Sequence, residues 1–428
     1  MFALLLMCAA SFAQTPAGQF QSLEREAQAA ARGGRFADAI AKYQEALELS
    51  PGNADVEVGL AQAYRAVHNY EEAKSILERA AREHPKNAAP LVVLGDLEIE
   101  LQTYAAAVRH LNAALGLKPD DDSTRIWLAV AYKSKGEVSN ALAELAKVLA
   151  RDPKNALAYY ERAQIYADRN ENAAALHDAE KAVGLQPNPA GRLLLAKVLL
   201  RPPPGEAASD GVKRCARAVE ALAPLMPERA NDSETLFLLS RAYQCAGQDE
   251  QAEKTLAEFE VASKNDRATK ENQTEAKHLV QQANDAAIKN DFQGALDLLE
   301  QALAKDPTYG AAHSQLAKLY YSAGDVEKAS DAISQALSRN PYQPDFLYVQ
   351  GRILEKQGKL DEALAAFEQT ALVNPKEADA YFEMGAIYQQ RDDRERALAA
   401  YKKAVALSPE DADYRKALAA MKPSEAPK

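Results

Sequence analysis

Nine prolines stand on a fixed ruler. Pro51, Pro85, Pro119, Pro153 and Pro187 lie 34 residues apart, and Pro307, Pro341, Pro375 and Pro409 repeat the interval. A proline donates no backbone N–H and pushes the residue before it out of helical geometry, so each of these positions ends a helix. A chain punctuated in this way is a row of like units, each packing on its neighbours to bury an apolar face it cannot bury alone. Its length agrees, because 428 residues exceed what one compact core supports, whereas a row of units grows without a single large interior.

Residues 378–411 are the clearest copy, reading ADAYFEMGAIYQQRDDRERALAAYKKAVALSPED. Apolar or small residues fall at Tyr381, Met384, Gly385 and Tyr388, then at Ala397, Tyr401 and Ala404. Steps of three and four put each set on one face of a helix, and the polar run 389–394 between them is the turn. This unit resembles the tetratricopeptide repeat, whose pattern runs from an aromatic through Leu-Gly and Tyr to Ala, an aromatic, Ala and a closing Pro, with Met384 in place of Leu as the one mild departure. The resemblance implies an all-α fold, a right-handed superhelical solenoid of about eleven helix-turn-helix repeats.

Taken in order, the chain opens MFALLLMCAASFAQ. An apolar stretch over 2–10 followed by Ser11 and Ala13 is the pattern that signal peptidase reads, so residues 1–13 are expected to be a signal peptide and the protein periplasmic or secreted. The alternative is a buried first helix. No Lys or Arg precedes the stretch, which a start codon upstream would supply, and Met7 is too large to precede a lipidated Cys8. Residues 14–19 are expected to be mobile, and 20–262 to hold repeats one to seven. Pro187 to Pro307 is 120 residues, three repeats plus 18, and Arg201-Pro202-Pro203-Pro204-Gly205 places the excess in an enlarged turn over 201–211 of repeat six. The charged run 263–275 reads as an extended helix end or as a hinge joining two arrays. Repeats eight to eleven fill 276–411, a capping helix follows over 412–421, and 422–428 is expected to be disordered.

No constellation of catalytic residues emerges. The six histidines are scattered, without HExxH or a cysteine pair at metal spacing, and the glycines near Lys213 do not make a phosphate loop. Hence neither enzyme activity, metal nor cofactor is expected. A net charge of -11 argues against nucleic acid, and no run of eighteen apolar residues marks a membrane span. Beyond the leader two cysteines remain, Cys215 and Cys245. Consecutive helices of the family's fold run antiparallel, which would bring the two together as a disulfide in an exported protein; the alternative is two buried thiols.

The family's groove is lined by the fifth and ninth residues of each repeat. Carried over, the fifth positions of the first array are Val58, Val92, Ile126, Tyr160, Leu194 and Phe237, an apolar stripe, with Gln164 and Arg241 among the ninth. In the second array Lys318, Tyr348, Arg352 and Phe382 occupy such positions, a mixture that suits an acidic or C-terminal peptide. Packing within the array is the alternative for the stripe, and pairing of the cations with Glu355 or Asp345 the alternative for the charges. The family's carboxylate clamp is not implied, since Gly59, Val93 and Trp127 stand where it needs Asn. Together these features suggest a non-catalytic interaction scaffold of the bacterial cell envelope that holds protein or peptide partners. The other reading is an accessory subunit or peptide-binding chaperone, for example in polysaccharide export or outer-membrane assembly.

Overall fold

The computed structural model describes residues 16–203 and 205–421. The expected signal peptide and the tail 422–428 lie outside them. Among the described residues the structure is all helix, arranged as consecutive antiparallel pairs. The pairs are α1 (Pro16–Arg32) with α2 (Phe36–Leu49), α3 (Ala54–Ala66) with α4 (Tyr70–Glu83), α5 (Ala89–Glu100) with α6 (Tyr104–Leu117), α7 (Asp122–Lys135) with α8 (Val138–Arg151), and α9 (Ala156–Asp168) with α10 (Asn172–Leu185). Next come α11 (Pro189–Leu199) with α12 (Ala208–Leu222), the short α13 (Met226–Arg229), α14 (Ser233–Cys245), α15 (Asp249–Ile288) and α16 (Phe292–Lys305). The chain ends with α17 (Gly310–Ala323) and α18 (Val326–Arg339), α19 (Pro344–Lys356) and α20 (Leu360–Val373), α21 (Ala378–Gln390) and α22 (Arg394–Leu407), and the single helix α23 (Ala412–Ala420).

The repeats carry local start and stop chemistry. Two residues past Pro51, Pro119, Pro153 and Pro409 stands an Asn or Asp whose side chain accepts from the first turn of the next helix: Asn53 from Asp55 and Val56, Asp121 from Thr124, Asn155 from Ala158, Asp411 from Asp413 and Tyr414. Within the hairpins a left-handed residue makes the turn, and it too keeps the 34-residue stride: Gly34, His68, Gln102, Gly136 and Asn170, then Asn290, Gly324, Gly358 and Asp392. At Gly136 the next residue, Glu137, donates back to the Tyr132 carbonyl at 2.8 Å, which closes the helix end. Gln102 holds φ 59° with a side chain that disfavours it, so Gln102→Gly should raise the unfolding free energy by about 0.5–1 kcal/mol in urea titration.

Close approach within a hairpin is set by a small residue facing a large one sixteen positions later. Ala129 shares a core with Leu145, and Ala61 with Leu77 and Ala317 with Ile333 keep the same spacing, all buried. In two hairpins the small residue is a glycine set against an aromatic ring: a Cβ on Gly351 would stand 2.5 Å from the Phe367 ring and one on Gly385 2.7 Å from Tyr401. We expect Gly351→Ala to destabilise by about 1–3 kcal/mol through overpacking. Adding Phe367→Leu should recover part of that loss, because it recreates the Ala/Leu pairing of other hairpins; calorimetry on both variants checks it.

Two boundaries differ from the expectation, and a third settles between its two alternatives. The expected mobile segment is helical from Pro16, a residue whose fixed φ suits the first helical position. Helix α12 starts at Ala208, inside the stretch assigned to the enlarged turn, where Arg214 Nε binds Glu206 Oε1 at 2.9 Å. Residues 263–275 take the extended-helix alternative: they lie inside α15, whose 40 residues contain neither Gly nor Pro to stop them.

The chain groups into two compact units. The second holds residues 94–281 and 301–307. Its core around α11, α12 and α14 joins Leu199, Leu222 and Leu239 to the buried Cys215, and Cys215 is bonded to Cys245 with Cα atoms 5.7 Å apart. The first holds, of the described residues, 16–93, 282–300 and 308–421, which departs from a division into two consecutive arrays. Polar contacts between repeats distant in sequence accompany this grouping. The Tyr342 hydroxyl donates to the Gly34 carbonyl at 2.7 Å and accepts from the Phe36 N–H at 3.0 Å, and Asn69 Nδ2 donates to the Val373 carbonyl at 2.6 Å.

Candidate functional site

In the first unit α17, α19 and α21 are the first helices of three successive hairpins. Between them lies a pocket of about 330 Å³ lined by Lys318, Tyr321, Ser322, Asp345, Tyr348, Val349, Arg352, Glu377 and Asp379. A second cavity, about 550 Å³, shares Tyr348, Arg352 and Asp379 and continues past Phe382 and Glu383 to Asp411, Asp413, Tyr414 and Lys416. The repeat places these groups together. Asp345, Asp379 and Asp413 stand 34 apart, at the second position of α19, α21 and α23, and so recur as rungs of one acidic ladder.

Arg352 sits at the junction with its charge already matched. Its Nη1 is 3.0 Å from Glu383 Oε1 and its Nε 3.5 Å from Glu355 Oε2. The same guanidinium donates to the Tyr348 hydroxyl at 3.2 Å and the Tyr321 hydroxyl at 3.3 Å, and it lies over the Tyr321 ring. Burial works against this cation, but the Tyr348 hydrogen bond and the Glu383 charge outweigh it and raise its pKa. Burial in turn pushes the Tyr348 hydroxyl up to about 12, against the pull of Arg352. Among the described residues Lys318 makes no ion pair, so it is the pocket's remaining cation beside Asp345, Glu377 and Asp379. Glu377 and Asp379 accept hydrogen bonds from Asn374 and Tyr414, both uncharged. Burial, and then the charges of Asp379 and Asp345, push the Glu377 carboxyl above its ordinary value. The unmatched charge of the pocket is therefore negative.

Lys318, Tyr348 and Arg352 thus meet in one pocket. Phe382 lines the neighbouring cavity but is covered by the last helix, stacked on Tyr414 with centroids 4.9 Å apart. Val58 and Val92 are half-buried in the first unit. In the second unit Ile126 is part of the core with Leu145 and Ile165, and Leu194 packs on the core around Leu199, so both serve packing. Tyr160 is half-buried, and Gln164 accepts from Lys133 Nζ at 2.7 Å. Phe237 is 40% exposed, packs on Phe259 of α15 and carries Arg241 over its face. Tyr321, Glu377 and Asp379 were not singled out by the sequence reading, although the stride that joins Asp345 to Asp379 was there to be read.

Tetratricopeptide repeat models match residues 30–97, 98–165, 156–189, 286–353 and 348–412. Over 145 residues, 32% of its length, the chain is 25% identical to Superkiller protein 3 of Saccharomyces cerevisiae; it spans about a tenth of the length of that curated relative, with 10% of it covered. Yeast Tom70 aligns over 95% of this chain and 96% of its own, at 14% identity and a TM-score of 0.32. YrrB, described as a TPR protein with an unusual peptide-binding site, aligns over 39% of this chain and 86% of its own, at 28% identity and a TM-score of 0.33. No helix among the described residues is long and apolar enough to cross a membrane.

Proposed function

Because the chain belongs to the tetratricopeptide repeat family, we propose that it is a non-catalytic scaffold of the bacterial cell envelope that grips a partner polypeptide along α17, α19 and α21. The repeat fold generally serves protein interaction rather than chemistry. One observation carries the choice of site: a pocket whose arginine is neutralised from within while Asp345, Glu377 and Asp379 have no matching cation beyond Lys318. Such a pocket selects a positively charged guest, a Lys or Arg side chain or a chain N-terminus. It does not favour the acidic or C-terminal peptide that Lys318 and Arg352 suggest in sequence alone. The Tyr321 and Tyr348 rings offer an apolar and cation-attracting wall for the guest's aliphatic stem. Recurrence of the aspartate at 345, 379 and 413 suits a partner with several basic residues along one face.

The placement in the envelope rests on the N-terminal apolar stretch and its small residues, and on the Cys215–Cys245 bond, which is kept in oxidising compartments. Intact-mass measurement of the exported protein should find a chain beginning at Gln14; a cytoplasmic chain retaining Met1 would remove this placement. Capture from a periplasmic extract tests the scaffold reading. A few stable partners, lost when Asp345→Asn and Asp379→Asn are combined, support it, whereas many weakly held unfolded clients indicate the chaperone reading. Acid should weaken the interaction. A raised carboxyl takes up its proton at a higher pH than an ordinary one, so Glu377 loses its negative charge early as pH falls.

A further inference from the structure

We propose a divalent-metal site of the Zn²⁺ class between α3 and the end of α4, formed by Glu57, Glu83 and His84. Glu57 projects from the first turn of α3 and is almost fully enclosed, its side chain 3% exposed. One carboxylate oxygen is accounted for: Oε1 accepts from Arg79 Nε at 3.3 Å and from Arg79 Nη2 at 3.1 Å. The other, Oε2, is buried without a hydrogen-bond partner among the described residues, and so is the facing Nε2 of His84. A buried carboxylate oxygen left bare is costly, and an orphaned imidazole nitrogen beside it doubles the anomaly.

The spacing says what would resolve it. His84 Nε2 and Glu57 Oε2 are 3.9 Å apart, too far for a hydrogen bond. With a carboxylate oxygen of Glu83 they form a triangle in which all three atoms lie within 4.8 Å of one another. A tetrahedral Zn²⁺ with bonds of about 2.0–2.2 Å keeps its ligand atoms roughly 3.3–3.6 Å apart, so a small inward movement closes the triangle on an ion. The exposed Glu83 can make that movement. Glu98 and His110 in the next hairpin supply the contrast: the same residue types stand 2.7 Å apart, an ordinary hydrogen bond with no room for a metal.

One imidazole and two carboxylates suit Zn²⁺ and its first-row neighbours, and disfavour Mg²⁺ or Ca²⁺, which prefer all-oxygen sets. Arg79 binds the far oxygen of Glu57, fixes the carboxylate's orientation and leaves Oε2 directed at the site, as supports of metal ligands do. The spacing of these residues fits no short motif, which is why the sequence reading expected no metal. The bound ion would pin the end of α4 to the first turn of α3.

Isothermal titration of the chelator-treated full chain with zinc chloride tests this. The expected result is one site, lost in His84→Ala and weakened in Glu83→Gln by more than the roughly 10–100-fold that loss of an outer support causes. Far-UV circular dichroism establishes that each variant is folded, and Glu83, being exposed, keeps the test alive if His84→Ala is not. Zinc binding undiminished in these variants, no binding at all, or equal binding of Mg²⁺ would overturn the proposal.

Discussion

Replacing Phe367 by alanine is expected to lower the unfolding free energy by about 3–5 kcal/mol, the range for emptying a fully enclosed aromatic site. Phe367 is completely buried among Ala363, Ile387 and Tyr401. What faces it is Gly351, which has no side chain to move into the space, so the cavity cannot collapse from that side. Tyr348 leans on the same ring, with centroids 5.7 Å apart, so the cavity also loosens a wall of the candidate pocket. Phe292 is the control. It is 49% exposed, and Phe292→Ala should cost well under half as much. Denaturant titrations of both variants settle the comparison; equal losses would mean that the hairpin core does not stand where the Gly351–Phe367 contact puts it.

Removing the Cys215–Cys245 bond comes next in size. The bonded residues are 30 apart in sequence, for which the chain-entropy estimate gives a loss of about 3–4 kcal/mol. Cys215→Ala with Cys245→Ala spares the core a buried hydroxyl, and the fall should appear in the unfolding of the second unit. The bond ties α12 to α14 next to the proline-rich turn, where the regular stride of the repeats is interrupted. Alkylation of the native protein without reductant should label neither cysteine. Two labelled thiols would show that the stabilisation comes from packing alone.

Local elements were legible in the sequence because each repeat encodes them locally. The 34-residue stride of the prolines marks where helices stop, and the small-large spacing marks the faces that pack. The left-handed turn residues follow the same stride, even where the residue is His68 or Asn170 rather than glycine. Contacts made across many repeats were not legible. Tyr342 reaching Gly34 and Asn69 reaching Val373 join surfaces about three hundred residues apart, and a periodicity carries no information about which distant faces meet. The grouping of the first two hairpins with the last ones was hidden for that reason.

The site divides the same way. Lys318, Tyr348 and Arg352 could be placed together from repeat position, but the sign of the pocket could not. It depends on Glu383 and Glu355 claiming Arg352, and on Asp345, Glu377 and Asp379 keeping no cation of their own. Ile126 and Leu194, at equivalent positions of the stripe, turn inward to the core, because a fifth-position side chain can serve either packing or display.

Fluorescence anisotropy of a labelled lysine-containing peptide, set against the same peptide with glutamate in place of lysine, decides whether the pocket takes a basic guest. The basic peptide should bind, more weakly as salt rises, and Asp345→Asn should weaken it about tenfold, the worth of one charge-assisted hydrogen bond. The acidic peptide should not bind. Preference for the acidic peptide, or binding of the basic one indifferent to Asp345→Asn and Asp379→Asn together, would contradict the account.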